Sequence, residues 1–301
     1  MGALAFVLVW LLWLGPLVPA SAAWCRASVE TSPLGDCEEV ADVALLRWTR
    51  GCVRYGFHRD LFERLPLLRE RQIRTDAEAA FAAYREVDCG RSPFDVQALP
   101  AVSGADRAEF NWDVENESLI AARSSEEWTA LEYDENAIAL TLLFFDPDSG
   151  EIYDADMELN AGIGELTHCD QRCSAGQVDL PSTLIHEAGH YLGLGHSTVQ
   201  GSTMSSHADV GTLDKRTLED DDRDGYCALE LPEPEQDPGD QASCEVPVFP
   251  RFVTIERPAS DDGCTVSAVT ARAADGRLAL GVLAVLGVVM ARRGRRCRAR
   301  R

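Results

Sequence analysis

Lysine is almost absent from this sequence, and positive charge is scarce outside its last residues. Lys215 is the only lysine among 301 residues. Seven of the 28 positive residues are arginines in the last ten positions, which leaves 21 positive against 50 negative residues elsewhere, a net charge of −29. Such a surface repels nucleic-acid phosphates, so we expect no nucleic-acid partner. It suits an exported protein or one that binds hard cations such as calcium.

Apolar runs lie near both ends of the sequence. The run at 4–17, followed by small residues at 20–23, predicts a signal peptide over residues 1–23. The second run, in residues 276–291, is shorter than the about 20 residues that a membrane-spanning helix needs, and it precedes the arginines of 292–301. This arrangement resembles the C-terminal sorting signals of myxobacteria, and a membrane anchor is the alternative. Both interpretations predict an exported protein, extracellular or on the cell surface, with membrane contact through this segment.

The ten cysteines indicate disulfide bonds. Cys297 lies in the basic tail, and export would oxidise most of the other nine. Because nine is odd, one must stay unpaired or be modified, and Cys264 is the candidate from its position before the C-terminal segment. Cys169 and Cys173 form either a small disulfide or, with His168, part of a metal site. Oxidation during export favours the disulfide.

The chain reads as one α/β domain with attachments at both ends, and we expect a monomer. Hydrophobic patterning predicts strands at 54–58 and 137–145 and a helix at 75–87 that Asp76 caps. Alternating apolar and polar residues predict a half-exposed strand at 151–160, which forms a hairpin with the preceding strand. The predicted segments are a signal peptide at 1–23, a lead segment at 24–44, the main domain at 45–230, an acidic, proline-rich linker with a small cysteine-containing extension at 231–275, the apolar segment at 276–291 and the arginine-rich tail at 292–301.

The residues that carry chemistry lie at 184–196, in LIHEAGHYLGLGH. His186 and His190 are four residues apart, so a helix places both rings on one face, one turn apart. Gly193 ends that helix and permits a sharp change of direction, which brings His196 back toward the other two. Three imidazoles suit zinc, and three protein ligands leave a fourth position open for water, as in a catalytic zinc site.

Glu187 follows the first of these histidines and therefore lies beside the metal without binding it. Zinc lowers the pKa of a bound water to about 7. A carboxylate at this place can take the proton from that water and pass it to a leaving amine. We therefore expect hydrolysis of peptide bonds, with Glu187 as the general base, one zinc ion as the cofactor and proteins or peptides as the substrates.

HEAGHYLGLGH resembles the signature of the metzincin zinc peptidases, and Met204, eight residues after His196, matches their methionine turn beneath the metal. The spacing in HSTVQGSTM, Ser197 and Gly193 are most similar to the matrixin branch, the matrix metalloprotease-related peptidases. The hairpin ending in DADMELN resembles the matrixin edge strand that pairs with extended substrate, and 218–229 (LEDDDRDGYCAL) resembles the start of the C-terminal helix. The resemblance implies an α/β (α+β) catalytic domain with a twisted mixed sheet, an active-site helix and a Met-turn. With the predicted export, it implies a secreted or surface-anchored zinc-dependent endopeptidase acting on extracellular proteins.

Some features depart from the matrixin pattern and leave alternatives. The PRCGxPD latency segment is missing, and Cys89 is interpreted as a disulfide partner rather than a latency switch. His207 is interpreted as a surface histidine. The alternative to an enzyme is a non-catalytic zinc-containing protein of the cell surface that binds partners through its acidic face. In that case a fourth protein ligand, such as His207 or Cys173, would close the metal site.

A candidate calcium site follows the methionine. Asp220, Asp222 and Asp224, with Gly225 after them, match the start of a calcium-binding loop, DxDxDG. The bidentate Glu at loop position twelve is missing, because Leu231 occupies it. A capped helix start is therefore favoured over calcium for these three aspartates.

Overall fold

The structure is a computed structural model, and its described residues cover most of the predicted main domain. Of the predicted attachments, the signal peptide at 1–23, the arginine-rich tail at 292–301 and Cys264 lie outside the described residues. The structure describes residues 24–28, 43–103, 117–208 and 211–232, together with the backbone of strands at 253–256, 268–273, 279–286 and 289–290.

Helices pack against the sheet. Within the described residues they are α1 Arg59–Arg64, α2 Glu70–Arg85, α3 Ser125–Ala130, α4 Leu180–Leu192, a short 3-10 helix Asp214–Arg216 and α5 Asp220–Ala228. The long helices α2 and α4 pack against each other, and α4 also contacts the sheet. Phe81 of α2 lies 5.1 Å from the ring of Tyr191 of α4, and the Trp48 indole donates to the Tyr191 carbonyl at 2.7 Å. These aromatic side chains hold α4 against α2 and against the segment before β1.

Five strands form the central sheet: β1 Cys52–His58, β2 Asp95–Ser103, β3 Ser118–Arg123, β4 Ala139–Phe145 and β5 Ile152–Asn160. Across the sheet their order is β2-β1-β3-β5-β4. Neighbouring strands are parallel except β4, which runs antiparallel to β5. A mixed sheet with helices packed on it confirms the predicted α/β class, and β1 and β4 confirm the strands predicted at 54–58 and 137–145.

The predicted helix start at Asp76 was wrong. Helix α2 begins at Glu70, and Arg69 is its N-cap. Asp76 lies inside the helix, only 4% exposed, with its carboxylate 2.9 Å from Nδ1 of His168. The local sequence favoured a cap, but the side chain is used in a tertiary contact with a distant loop.

The prediction of a half-exposed edge strand at 151–160 was also wrong. Strand β5 lies between β3 and β4, and all nine of its residues are buried. Its acidic side chains have partners on β3 instead of water: Asp154 accepts from the Ser118 hydroxyl at 2.7 Å, and Glu158 pairs with Arg123. The alternation of apolar and polar residues in β5 therefore reflects two buried faces of the strand, one apolar and one polar.

Short strands complete the fold. The remaining strands are β6 Glu165–Thr167, β7 Gln177–Asp179, β8 His207–Ala208, β9 Val253–Glu256, β10 Ala268–Ala273, β11 Ala279–Leu286 and β12 Val289–Met290. The backbone of β11 pairs antiparallel with β4, and β10 and β9 follow it in the sheet. The described parts of the apolar segment at 276–291 are thus the strands β11 and β12. Among the described residues, no helix has the length and apolar character to cross a membrane.

Disulfides with both partners in the described residues are Cys89–Cys227 and Cys169–Cys173. The first confirms Cys89 as a disulfide partner and joins the chain just after α2 to α5. The second confirms the predicted small loop, and its bonded sulfurs are not metal ligands. Cys25 and Cys52 are disulfide-bonded as well.

Candidate metal centre

The helix that carries two of the histidines has a defined start and end. Asp179 is the N-cap of α4, and its carboxylate accepts a first-turn backbone N–H at 3.0 Å. Pro181 occupies the first turn, where its missing N–H costs nothing. At the other end Gly193 adopts φ +109°, a left-handed conformation that favours glycine. Gly193 therefore ends the helix as predicted, and the chain returns to bring His196 beside His190.

The three predicted ligands meet at one point. Nε2 of His190 lies 3.1 Å from Nε2 of His186 and 3.2 Å from Nε2 of His196. Four ligands in a tetrahedron, each about 2.05 Å from zinc, lie about 3.3 Å apart. Two of the three distances are close to this value, and the ligand atoms of all three histidines lie within 4.8 Å of one another, so the group fits a zinc ion.

Hydrogen bonds orient two of the rings for metal binding. Nδ1 of His186 lies 2.6 Å from the Thr203 carbonyl, and Nδ1 of His190 lies 2.8 Å from the Leu194 carbonyl. A carbonyl only accepts, so the ring protons are assigned to Nδ1, and the Nε2 lone pairs face one another. Lone pairs held this close repel unless a cation lies between them.

Burial keeps these imidazoles neutral, as metal ligands must be. His186 and His190 have no exposed surface. Burial lowers the pKa of His190 to about 4. It also lowers the pKa of His186 well below its usual range, with the charge of Lys215 acting in the same direction. Both rings are therefore unprotonated at neutral pH.

The turn that contains Met204 packs directly against α4. A Cβ on Gly189 would lie 2.3 Å from the Met204 sulfur and 2.4 Å from the Tyr84 hydroxyl, so only glycine fits between the two ligands of the helix. The Tyr84 hydroxyl lies 3.2 Å from the Ile185 carbonyl oxygen and 3.3 Å from the Met204 sulfur. Met204 is 2% exposed. Neither Gly189 nor Tyr84 stood out as a site residue in the sequence, although a glycine inside a helical motif is a detectable signal.

Asp222 holds the same turn from the other side. Its carboxylate accepts the backbone N–H groups of Thr203 at 2.8 Å and Met204 at 2.9 Å. It also accepts the N–H of Glu219 at 2.9 Å and so caps α5. Because the Thr203 carbonyl orients His186, Asp222 supports a metal ligand through one intervening residue.

Glu187 lies beside the histidines and is fully buried. Its Oε2 accepts a hydrogen bond from the Thr141 hydroxyl at 2.7 Å, and its Oε1 has no hydrogen-bond partner in the described part of the chain. Burial raises the pKa of Glu187 to about 8, and the Thr141 hydrogen bond and the charge of Lys215 oppose this shift. A cation bound at the three histidines would favour the ionised carboxylate.

Lys215, the single lysine of the chain, is a further site residue that sequence analysis did not identify. It is 6% exposed, donates to the Ser205 carbonyl, and its Nζ lies 3.4 Å from Nδ1 of His186. Burial lowers the pKa of Lys215 to about 7. Its rarity in this arginine-rich sequence was the only available signal.

The metal group is open rather than closed. Across residues 24–28, 43–103, 117–208 and 211–232, no other His, Cys, Asp or Glu joins the three histidines. His207 is exposed and lies beside Ser206, as the surface interpretation predicted. Cys173 is bonded to Cys169. Neither proposed fourth ligand closes the site.

The three candidate calcium ligands do not form a loop. They occupy helix α5, and no group of metal-ligating side chains within the described residues includes them. The side chain of Asp220 is 98% exposed, Asp222 bonds backbone N–H groups and Asp224 is exposed. The structure corresponds to the capped helix start that the sequence favoured.

Comparison with known families agrees with the geometry. The family described as Matrixin matches residues 47–229, which is more than half of the chain and includes the whole candidate metal centre. No curated protein matches the chain.

Proposed function

Because the chain belongs to the matrixin family of zinc metallopeptidases, we propose that it is an endopeptidase that hydrolyses proteins outside the cytoplasm. One observation carries the proposal: three Nε2 atoms converge beside a buried carboxylate, one oxygen of which has no hydrogen-bond partner among the residues that the structure describes. An open three-histidine site is the arrangement of catalytic zinc, whereas structural zinc is closed by a fourth protein ligand.

Each site residue has its own role in the proposed reaction. His186, His190 and His196 would hold zinc, which supplies a polarised water and a Lewis acid for the peptide carbonyl. Glu187 takes the proton from the attacking water and gives it to the leaving nitrogen as the C–N bond breaks. Met204 supports the ligands from below.

We further propose that the protein acts after export. Disulfides such as Cys89–Cys227 persist in oxidising compartments and support this location. The signal peptide at 1–23, release or retention through the segment at 276–291 and the monomeric state are parts of the proposal that come from the sequence. The non-catalytic surface protein is less well supported, because it requires a closed metal site.

The test compares the parent protein with Glu187→Gln and the control Glu126→Gln, an exposed glutamate on α3. Each protein is assayed for zinc content and for cleavage of an unfolded, fluorescently quenched protein, before and after a chelator and added zinc. We expect all three to bind one zinc ion, with cleavage by the parent and control only and a loss of about 10²–10⁴-fold in Glu187→Gln. A folded, zinc-loaded parent that cleaves no better than Glu187→Gln would refute the enzyme and favour the binding protein.

A further inference from the structure

Thr141 is the one polar residue in an otherwise apolar strand. Strand β4 reads ALTLLFF, and all seven residues are buried. A buried hydroxyl costs free energy unless it is hydrogen-bonded, and Val or Ile would suit a central strand better. The hydroxyl of Thr141 has no exposed surface and therefore needs a specific partner.

That partner is Glu187. The Thr141 Oγ1 lies 2.7 Å from Glu187 Oε2 and 3.3 Å from the Glu187 carbonyl oxygen. A hydroxyl has one proton to donate, and the shorter, charge-assisted contact to the carboxylate is the stronger of the two. The contact joins residues 46 positions apart, so it depends on the packing of α4 against β4.

Thr141 is rigid at both backbone and side chain. Strand β4 pairs in register with β5, where Thr141 faces Met157, and a β-branched side chain has a restricted χ1 angle. A donor fixed in this way holds one carboxylate oxygen of Glu187. The other oxygen, Oε1, has no hydrogen-bond partner in the described residues and can accept a proton from the attacking water.

We infer that Thr141 is a positioning residue that orients the Glu187 carboxylate for proton transfer, an inference that rests on the proposed peptidase function. It acts through Glu187 and does not touch the metal. Groups that orient site residues in this way commonly change activity by about 10–100-fold when they are removed.

The experiment uses the full-length, zinc-loaded protein with Thr141→Val, Thr141→Ser and the control Thr183→Val. Thr183 is a buried threonine of α4 whose hydroxyl donates to the Asp179 carbonyl at 2.9 Å and does not contact Glu187. We measure kcat, KM, zinc content and thermal midpoint for each protein. Thr141→Ala is included, so that Ala and Ser can be compared if the Val variant does not fold.

We expect Thr141→Val to lower kcat about 10–100-fold, while KM and zinc content stay the same as in the parent protein. Thr141→Ser restores the donor and recovers most of kcat, while Thr183→Val keeps the parent kcat. A merely structural role would lower the thermal midpoint and lower kcat equally in Ser and Val. The inference is overturned if Thr141→Val keeps the kcat of the parent, or if Thr183→Val loses as much kcat as Thr141→Val. If the parent itself does not cleave the substrate, the proposed function fails first.

Discussion

The aspartate beneath the methionine turn allows a quantitative test of how the site is held. Asp222, 1% exposed, accepts three backbone N–H groups, from Thr203, Met204 and Glu219. Each buried N–H left without an acceptor costs about 1–3 kcal/mol. Replacing Asp222 with Ala removes all three acceptors, and water entering the space recovers part of the loss. We expect the free energy of unfolding to fall by about 3–6 kcal/mol, a large part of the 5–15 kcal/mol typical of a domain.

The same change weakens metal binding. Without Asp222, the peptide that includes Thr203 loses its anchor, and the Thr203 carbonyl no longer holds Nδ1 of His186. We expect zinc affinity to fall about 10–100-fold, as for other residues that orient a ligand. Unfolding is measured by urea titration of the metal-free protein, and zinc affinity by competition with a fluorescent chelator.

The control is Asp220→Ala, two residues earlier in the same helical turn. The Asp220 side chain is almost fully exposed and pairs only with Arg223 among the interactions seen, at 3.2 Å. We expect Asp220→Ala to keep the parent stability, zinc affinity and response to added calcium. Parent-like stability and zinc affinity in Asp222→Ala would refute the reasoning. A calcium-dependent stabilisation that Asp220→Ala abolishes would instead restore the calcium-loop interpretation.

Two more predictions concern stability. Burial raises the pKa of Asp154 to about 6, above its usual 3.8, so its contribution to stability is complete below pH 4 and is lost as the pH rises through 6. In Asp154→Asn, the free energy of unfolding should fall less between pH 4 and pH 6, and at pH 7 it should exceed the parent value by up to about 3 kcal/mol. Urea unfolding at several pH values measures this, and an unchanged pH dependence would contradict the assignment. The Cys89–Cys227 disulfide closes a separation of 138 residues and Cys169–Cys173 one of 4, so chain entropy gives about 5 and 2 kcal/mol respectively. Replacing both cysteines of one disulfide with Ala should lower the free energy of unfolding more for Cys89–Cys227 than for Cys169–Cys173, as measured by urea titration. Equal losses would count against the entropic explanation.

Elements with strong local patterns were predictable, and the others depended on tertiary structure. The apolar run of β4 and the metal motif on α4 were both recognised from sequence. Strand β2 was not predicted, because it contains Pro100 and much of it is exposed, as suits an edge strand. Helix α3 was also missed, although Ser124 and Glu127 form a capping box that the sequence displays.

The polar face of β5 shows why alternation alone misleads. The alternating pattern predicts that Asp154 and Glu158 face solvent, since charged side chains are rarely buried without partners. Their partners, Ser118 and Arg123, come from strand β3. A sequence pattern reports periodicity, but it does not report which neighbour will cover the polar side.

The candidate metal ligands and the candidate general base could be located from the sequence, because helical spacing and a helix-ending glycine bring His186, His190 and His196 together within a short stretch of chain. The contacts that hold these groups could not be located in this way. Thr141 and Asp222 reach the site from another strand and another helix. Such long-range contacts depend on how whole elements pack, and no local rule encodes that packing.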